Sequence, residues 1–215
     1  SFEANIRGGL DSRWVNQMEL VFRNQQLFYG NISVYHPTQL DSLYIFANCK
    51  NLYCNDDLLQ DLLSQLQMKS VHLPPAIKNL GHLHYHGDVK GRIEHLYLNG
   101  LFRTELGNIN VNGDLQSDTT LQNFDFCGHV SSPNFKVGKM LEHNDLGDVT
   151  FHAHIDGKVD SLQFKECIAE VNLREIEYRG YTYKDVHFDG QMTTEQLNGN
   201  LKINDENVQL ELKGL

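Results

Sequence analysis

The sequence predicts an all-β fold, and three observations carry that prediction. Apolar and polar residues alternate with a period of two over many short segments, the pattern of a strand with one buried face. Gly, Asn and Asp separate these segments, as they do at turns. Composition agrees, because 17 Gly and 9 Tyr occur with only 4 Pro and 1 Trp. An all-β chain of 215 residues commonly forms one domain, and one unit is expected here.

The predicted strands lie in both halves of the chain, on either side of one predicted helix. The alternating segments are 18–22, 28–34, 43–47, 109–115, 186–192, 198–204 and 208–214. Residues 55–67 instead carry five leucines at helical spacing behind Asn55, a suitable N-cap, so we expect a helix there. Prolines at 74 and 75 end regular structure before the next strand.

A second, shorter apolar group lies between strands in the second half. Val137, Met140 and Leu141 have helical spacing and indicate one or two helical turns. The expected order is therefore strands over 1–54, the helix over 55–67 and repeated strand units over 80–215.

An internal repeat organises the second half of the chain. Residues 146–164 align with residues 80–98 at an offset of 66, sharing Leu-Gly at the start and a Gly eleven positions later. Residues 106–115 form a shorter copy of the opening. In both long copies the apolar residues first occupy odd-numbered positions, up to Ile93 and Val159. They then occupy even-numbered positions, from Leu96 and Leu162. A common slip of this kind predicts a bulge or a corner within a strand.

Charge and motif content exclude several classes of function. A formal net charge of -10 and a pI near 5.5 oppose binding to a phosphate backbone, so no nucleic-acid partner is expected. The longest apolar run is far short of the roughly 20 residues that a membrane span needs. The sequence has no nucleophile elbow, P-loop, zinc-protease motif or dinucleotide fingerprint, so we predict no enzyme, no catalytic residues and no cofactor. Cys49 and Cys54 are near enough in sequence to bridge, and their pairing stays open.

Histidines raise the question of a metal site. His82, His84 and His86 occupy alternate positions, and His152 and His154 follow in the later copy. Alternate residues of a strand share a face, so these imidazoles are predicted opposite the apolar row. Three in a row on a straight strand strain to reach one zinc ion, and the later copy lacks two of them. We predict a solvated polar face without a metal site, with adventitious metal capture or a pH-sensitive contact surface as alternatives.

The apolar row has two interpretations. It packs as an ordinary core, or it lines an interior that another molecule enters. A sheet must bury its apolar face against another layer, yet the sequence supplies one long helix, situated before the repeats. The sheet is therefore expected to fold over on itself as a sandwich, a solenoid or an open trough.

Several motifs resemble the TamB family of the AsmA-like superfamily, in its Bacteroidetes form. They are Leu-Pro-Pro at 73–75, Val-Gly-Lys-Met-Leu to Asp-Leu-Gly at 137–147, Tyr-Arg-Gly-Tyr-Thr-Tyr-Lys-Asp at 178–185, and G-x-L-x-I-x-D-x-N-x-x-L at 199–210. The resemblance covers about 70–215 well and the first 70 residues more loosely. It implies an elongated open β-groove with an apolar interior, in a periplasmic segment of a longer protein anchored in the inner membrane. Four cysteines and the histidine-rich outer face depart from the family's pattern.

The resemblance also implies partners and a binding surface. Phospholipid acyl chains would lie in the groove during outer-membrane biogenesis, with an outer-membrane barrel protein similar to BamA or TamA as a further partner. The alternative is an interaction scaffold for barrel or autotransporter assembly that holds no lipid. Candidate lining residues are Leu83, Tyr85, Val89, Ile93, Leu98, Ile109, Val111, Phe126, Val149, Phe151, Ile155, Val159, Phe164, Val186, Phe188, Leu201, Ile203, Leu210 and Leu212. Any of them can instead pack against the opposite wall.

Overall fold

A computed structural model gives the fold of the chain as one thirteen-stranded antiparallel sheet. It describes residues 2–8, 12–22, 25–36, 42–55, 78–92, 94–118, 122–160 and 163–214. The strands are β1 Phe2–Gly8, β2 Ser12–Phe22, β3 Gln25–Tyr35, β4 Tyr44–Cys54, β5 Leu83–Arg92, β6 His95–Thr104, β7 Gly107–Ser117, β8 Phe124–Phe135, β9 Leu146–Asp160, β10 Gln163–Tyr178, β11 Tyr181–Thr193, β12 Leu197–Asn204 and β13 Gln209–Lys213. A short helix, α1 Val137–Met140, joins β8 to β9.

Each strand pairs with its neighbours in sequence, so the order across the sheet is the order along the chain. The sheet does not close on itself, and β1 and β13 are its two edge strands. This meander confirms the predicted all-β, antiparallel, elongated open groove. The short helix predicted near Met140 is also confirmed, whereas all of the helix predicted over 55–67 except Asn55 lies outside the described residues.

The predicted bulge or corner after the apolar row is wrong, because a hairpin turn lies there instead. In the first copy β5 ends and β6 begins so that Arg92 pairs with His95. In the second copy Asp160 pairs with Gln163 in the same way. Residues directly opposite in an antiparallel pair share a face. Two residues separate the paired strand ends in each copy, so the parity of the apolar positions changes by one where the chain passes from one strand to the next.

Register divides the sheet into an apolar face and a polar face. On the apolar face Tyr85 pairs with Phe102, and Val89 pairs with Leu98. On the polar face of the same two strands His84 pairs with Arg103, Asp88 with Asn99 and Lys90 with Tyr97. The alternation continues through the pairings of the later strands, which place apolar residues opposite apolar residues or glycine except at Phe124 and Phe151, each opposite a serine. One sheet thus carries two chemically different surfaces.

Paired glycines on the apolar face allow an aromatic ring to lie along the sheet. Gly87 and Gly100 face each other between β5 and β6, and the Tyr85 ring covers them. A Cβ built on Gly100 would lie 2.5 Å from the His86 carbonyl oxygen and 2.7 Å from Tyr85 Cε2. The Tyr85 hydroxyl reaches past Gly87 and donates to the Asp88 carbonyl at 2.8 Å. The apolar face is therefore covered at this point by its own side chain.

The same arrangement recurs further along the sheet. Phe126 lies over Gly113 and Gly128, and Phe188 lies over Gly190 and Gly199. In each case the aromatic residue is two positions before a glycine of its own strand. Covering a cross-strand glycine with an aromatic ring helps to fix strand register.

Within the described ranges, apolar packing forms two small clusters rather than one deep core. The first is buried around Phe28, Ala47, Cys49 and Tyr85. The second is buried around Leu106, Phe135 and Val149 and includes side chains of α1. Among the described residues no large side chain is fully buried. These features fit a sheet one layer thick.

Candidate functional site

The described members of the predicted lining occupy one face of the sheet. Leu83, Tyr85 and Val89 lie on β5, and the register carries the same face through Leu98, Ile109, Val111, Phe126, Val149, Phe151, Ile155, Val159, Val186, Phe188, Leu201, Ile203, Leu210 and Leu212. Phe164 pairs with Val159 in the backbone ladder, but its side chain lies outside the described part of the chain. Ile93 lies outside it entirely.

Exposure along this apolar face is uneven. Tyr85, Val149 and Val186 are only 3%, 5% and 5% exposed. On β13 the same face carries Leu210 and Leu212, which are 40% and 37% exposed. The face is thus packed at these positions of β5, β9 and β11 and open on β13.

Two residues that the sequence prediction missed extend this opening. Met192 on β11 and Leu197 on β12 pair with each other and are 45% and 50% exposed. Counting back in steps of two from Leu201 would have found Leu197, and counting forward from Phe188 would have found Met192. We name the set of Met192, Leu197, Leu210 and Leu212 the open apolar patch.

Several cavities open on the opposite, polar face. The central one has a volume of about 530 Å³ and crosses β5 to β10. Its lining is His86, Gly87, Asn99, Gly100, Leu101, Asn110, Val111, Asn112, His129, Val130, Ser131, His152, Ala153, His154, Glu170 and Asn172. We call this cavity the polar groove. Among the predicted lining residues, only Val111 borders it.

The polar groove continues into neighbouring cavities. It shares His154 and Glu170 with a cavity of about 570 Å³ toward β12, and His152 and Asn172 with another of about 480 Å³. On the other side it shares His86 with a smaller cavity near β4. None of these four cavities is lined by a member of the open apolar patch.

Histidines lie where the sequence analysis placed them. His84, His86, His152 and His154 are exposed on the polar face, and His82 is exposed just before β5. The His82 ring contacts the Glu105 carboxylate at 2.5 Å, and this contact lowers the pKa of Glu105. Within the described ranges no group of three or more His, Cys, Asp or Glu side chains is arranged to hold a metal ion.

Among the residues whose side chains the structure describes, Cys49 and Tyr85 are titratable groups buried on the apolar face. Burial, together with the nearby Asp88 carboxylate, raises the pKa of the Cys49 thiol to about 11. Burial also raises the pKa of Tyr85 to about 12, with smaller contributions from Cys49 and Asp88. Both groups therefore stay neutral at ordinary pH, and the described structure leaves Cys49 as a free thiol. Neither has the thiolate or phenolate character of a nucleophile.

Comparison of the chain with protein-family models, with curated proteins and with solved structures found no match.

The described part of the chain has no helix with the length and hydropathy required to cross a bilayer.

Proposed function

We propose that this chain is a periplasmic segment of a TamB-like protein, anchored as a whole in the inner membrane, and that its apolar face carries or shields phospholipid acyl chains for outer-membrane biogenesis. One observation supports the proposal most. The apolar face continues from strand to strand, and on β11 to β13 it leaves Met192, Leu197, Leu210 and Leu212 37–50% exposed. An exposed run of large apolar side chains is characteristic of a surface that meets another apolar molecule.

The free energy of burial suits an acyl chain. Each methylene removed from water contributes about 0.8 kcal/mol, so a chain of about 16 carbons gains on the order of 10 kcal/mol before ordering costs. This gain is spread over many small contacts with Leu and Met side chains. A surface of that kind holds lipid without one dominant anchor, and the lipid can move along it.

Native mass spectrometry of protein purified without detergent tests the proposal. We expect co-purified phospholipid on the wild-type chain. Leu212→Asp places a charge in the open apolar patch and is expected to remove most of the bound lipid, because an ionised carboxylate is costly beside an acyl chain. Gln209→Asp adds the same charge to the polar face of the same strand, and it should leave the lipid signal unchanged.

The competing function, a scaffold for barrel assembly, gives a different result in the same experiment. It predicts protein free of lipid that forms a stoichiometric complex with an outer-membrane protein similar to BamA or TamA. A folded Leu212→Asp variant that retains wild-type lipid content would contradict the assigned surface. Circular dichroism checks that both aspartate variants keep their β-structure.

A further inference from the structure

The polar groove is lined by side chains that lipid binding on the opposite face would not contact. Its central strands are paired on both sides, so their backbone N–H and C=O groups are already engaged in the ladder. A peptide cannot add to the middle of this sheet as an extra strand, since strand addition needs an unpaired edge. Any ligand of the groove must be recognised by side chains.

Those side chains are polar but almost uncharged. Of the sixteen residues that line the central cavity, Glu170 is the one Asp, Glu, Lys or Arg. The lining instead contains four carboxamides, four imidazoles and a hydroxyl, from Asn99, Asn110, Asn112, Asn172, His86, His129, His152, His154 and Ser131. A charged fraction of about 25–35% suits a soluble protein surface. This groove therefore differs from an ordinary solvated face.

Much of its hydrogen-bonding capacity is unused. In the described part of the chain the side chains of Asn99, Asn110 and His152 make no hydrogen bond to another protein group. The Asn112 Oδ1 accepts from the Tyr97 hydroxyl at 2.9 Å, which leaves the Asn112 amide nitrogen free to donate. Each free carboxamide offers two donors and one acceptor. The groove thus presents donors and acceptors side by side.

Apolar surface is interleaved with these polar groups. The rings of His129 and His154 lie 4.8 Å apart between their centroids on adjacent strands, and Leu101 lines the same cavity. In the neighbouring cavity Ile168 is 52% exposed on the polar face. Such groups can cover the C–H faces of a ring while carboxamides bind its hydroxyls.

From this pattern we infer that the polar groove binds a neutral saccharide chain. Sugar hydroxyls both donate and accept, as free carboxamides do, and their ring faces are apolar. The central cavity holds no Lys or Arg for an anion and a single carboxylate for a cation. Six strands spaced about 4.8 Å apart extend over roughly 24 Å, which favours several linked sugars over one.

Isothermal titration calorimetry with neutral hexasaccharides tests the inference. The probes are cellohexaose, maltohexaose and hexa-N-acetylchitohexaose, with hexagalacturonate as the anionic counterpart. At least one neutral probe is expected to bind, and hexagalacturonate is expected to bind more weakly because Glu170 repels it. Failure of all three neutral probes to bind, or tighter binding of hexagalacturonate, overturns the inference.

A pair of variants on one strand locates the site. Asn110→Ala removes a carboxamide that lines the groove, and Asn108→Ala removes one from the same face of β7 outside its lining. Loss of one or two hydrogen bonds should weaken binding about fivefold or more in Asn110→Ala, with no change in Asn108→Ala. Equal affinities in the two variants overturn the assignment, and circular dichroism confirms that both are folded.

Discussion

The apolar face behaves differently at its two ends, although both ends follow the same period of two. Around β3 to β5 most of it is covered by its own side chains, with Cys49 and Tyr85 each only 3% exposed, and Leu52, which pairs with Tyr85, is an exception at 39%. At β12 and β13 the same face carries Leu197 and Leu210, which are 50% and 40% exposed. Alternation therefore decides which face is apolar. A ring over a glycine pair occurs in both regions, at Tyr85 and at Phe188, so the buried cluster around Tyr85, and not that arrangement, distinguishes the closed region.

The largest expected contrast between the two ends is in stability. Tyr85→Ala should lower the free energy of unfolding by about 3–5 kcal/mol, because it empties a closed part of the face. Leu212→Ala removes a side chain that is already 37% exposed and should cost less than about 1 kcal/mol. Urea denaturation monitored by circular dichroism measures both. Equal losses would show that the two ends are packed alike.

A second contrast concerns the glycines under the rings. Gly100→Ala should cost about 1–3 kcal/mol, since its Cβ would meet the His86 carbonyl oxygen at 2.5 Å. Gly157→Ala on β9 is the matched control, because the nearest atoms to its Cβ are 3.9 Å away. The control should change the unfolding midpoint little. An unchanged midpoint in Gly100→Ala would contradict the close fit of the Tyr85 ring.

Alkaline pH should weaken the closed end selectively. The pKa values of Cys49 and Tyr85 are raised in the folded chain, to about 11 and about 12. In the unfolded chain both groups therefore lose their protons at lower pH. Their stabilising contribution is complete below about pH 9 and is lost as pH rises through the folded values. We expect a decline on the order of 1 kcal/mol, flattened in Cys49→Ala. If Cys49→Ala shows the same decline in unfolding free energy with pH as the wild type, the Cys49 thiol is not its source.

Thiol labelling requires no substitution, and it compares solvent access in the closed and open regions of the apolar face directly. Cys49 belongs to the closed end, whereas Cys167 pairs with the exposed Met192 on the same face. N-ethylmaleimide at pH 7.5 should modify Cys167 well before Cys49, because Cys49 is buried. Peptide mass spectrometry follows the two rates, and both should become similar in urea. Faster modification of Cys49 in the folded protein would reverse the assignment of open and closed ends.

Much of the fold follows from the sequence alone. Five of the seven alternating segments lie within strands, whereas the segment 43–47 begins one residue before β4 and the segment 208–214 extends one residue beyond each end of β13. The histidines at 84, 86, 152 and 154 lie on the polar face. The shift in the parity of the apolar positions does not identify its cause, because a two-residue connection between strands and a bulge within a strand both shift the parity by one. Only the cross-strand pairing, such as that of Arg92 with His95, distinguishes a change of strand from a bulge.

The polar groove could not be predicted in the same way. It combines residues of six strands, for example Asn99 on β6 and Asn172 on β10. Their proximity depends on every intervening register, which turn lengths and bulges set. The open apolar patch was partly predictable, since Leu210 and Leu212 follow from parity. Its greater exposure depends on packing that no single segment encodes.

Strand order that matches chain order makes the sheet modular. Because each strand pairs only with its sequence neighbours, a two-stranded hairpin can be gained or lost without rethreading the rest. An added hairpin that keeps the two-residue turn also keeps both faces in phase. The length of such a sheet can therefore change in evolution by the gain or loss of whole hairpins.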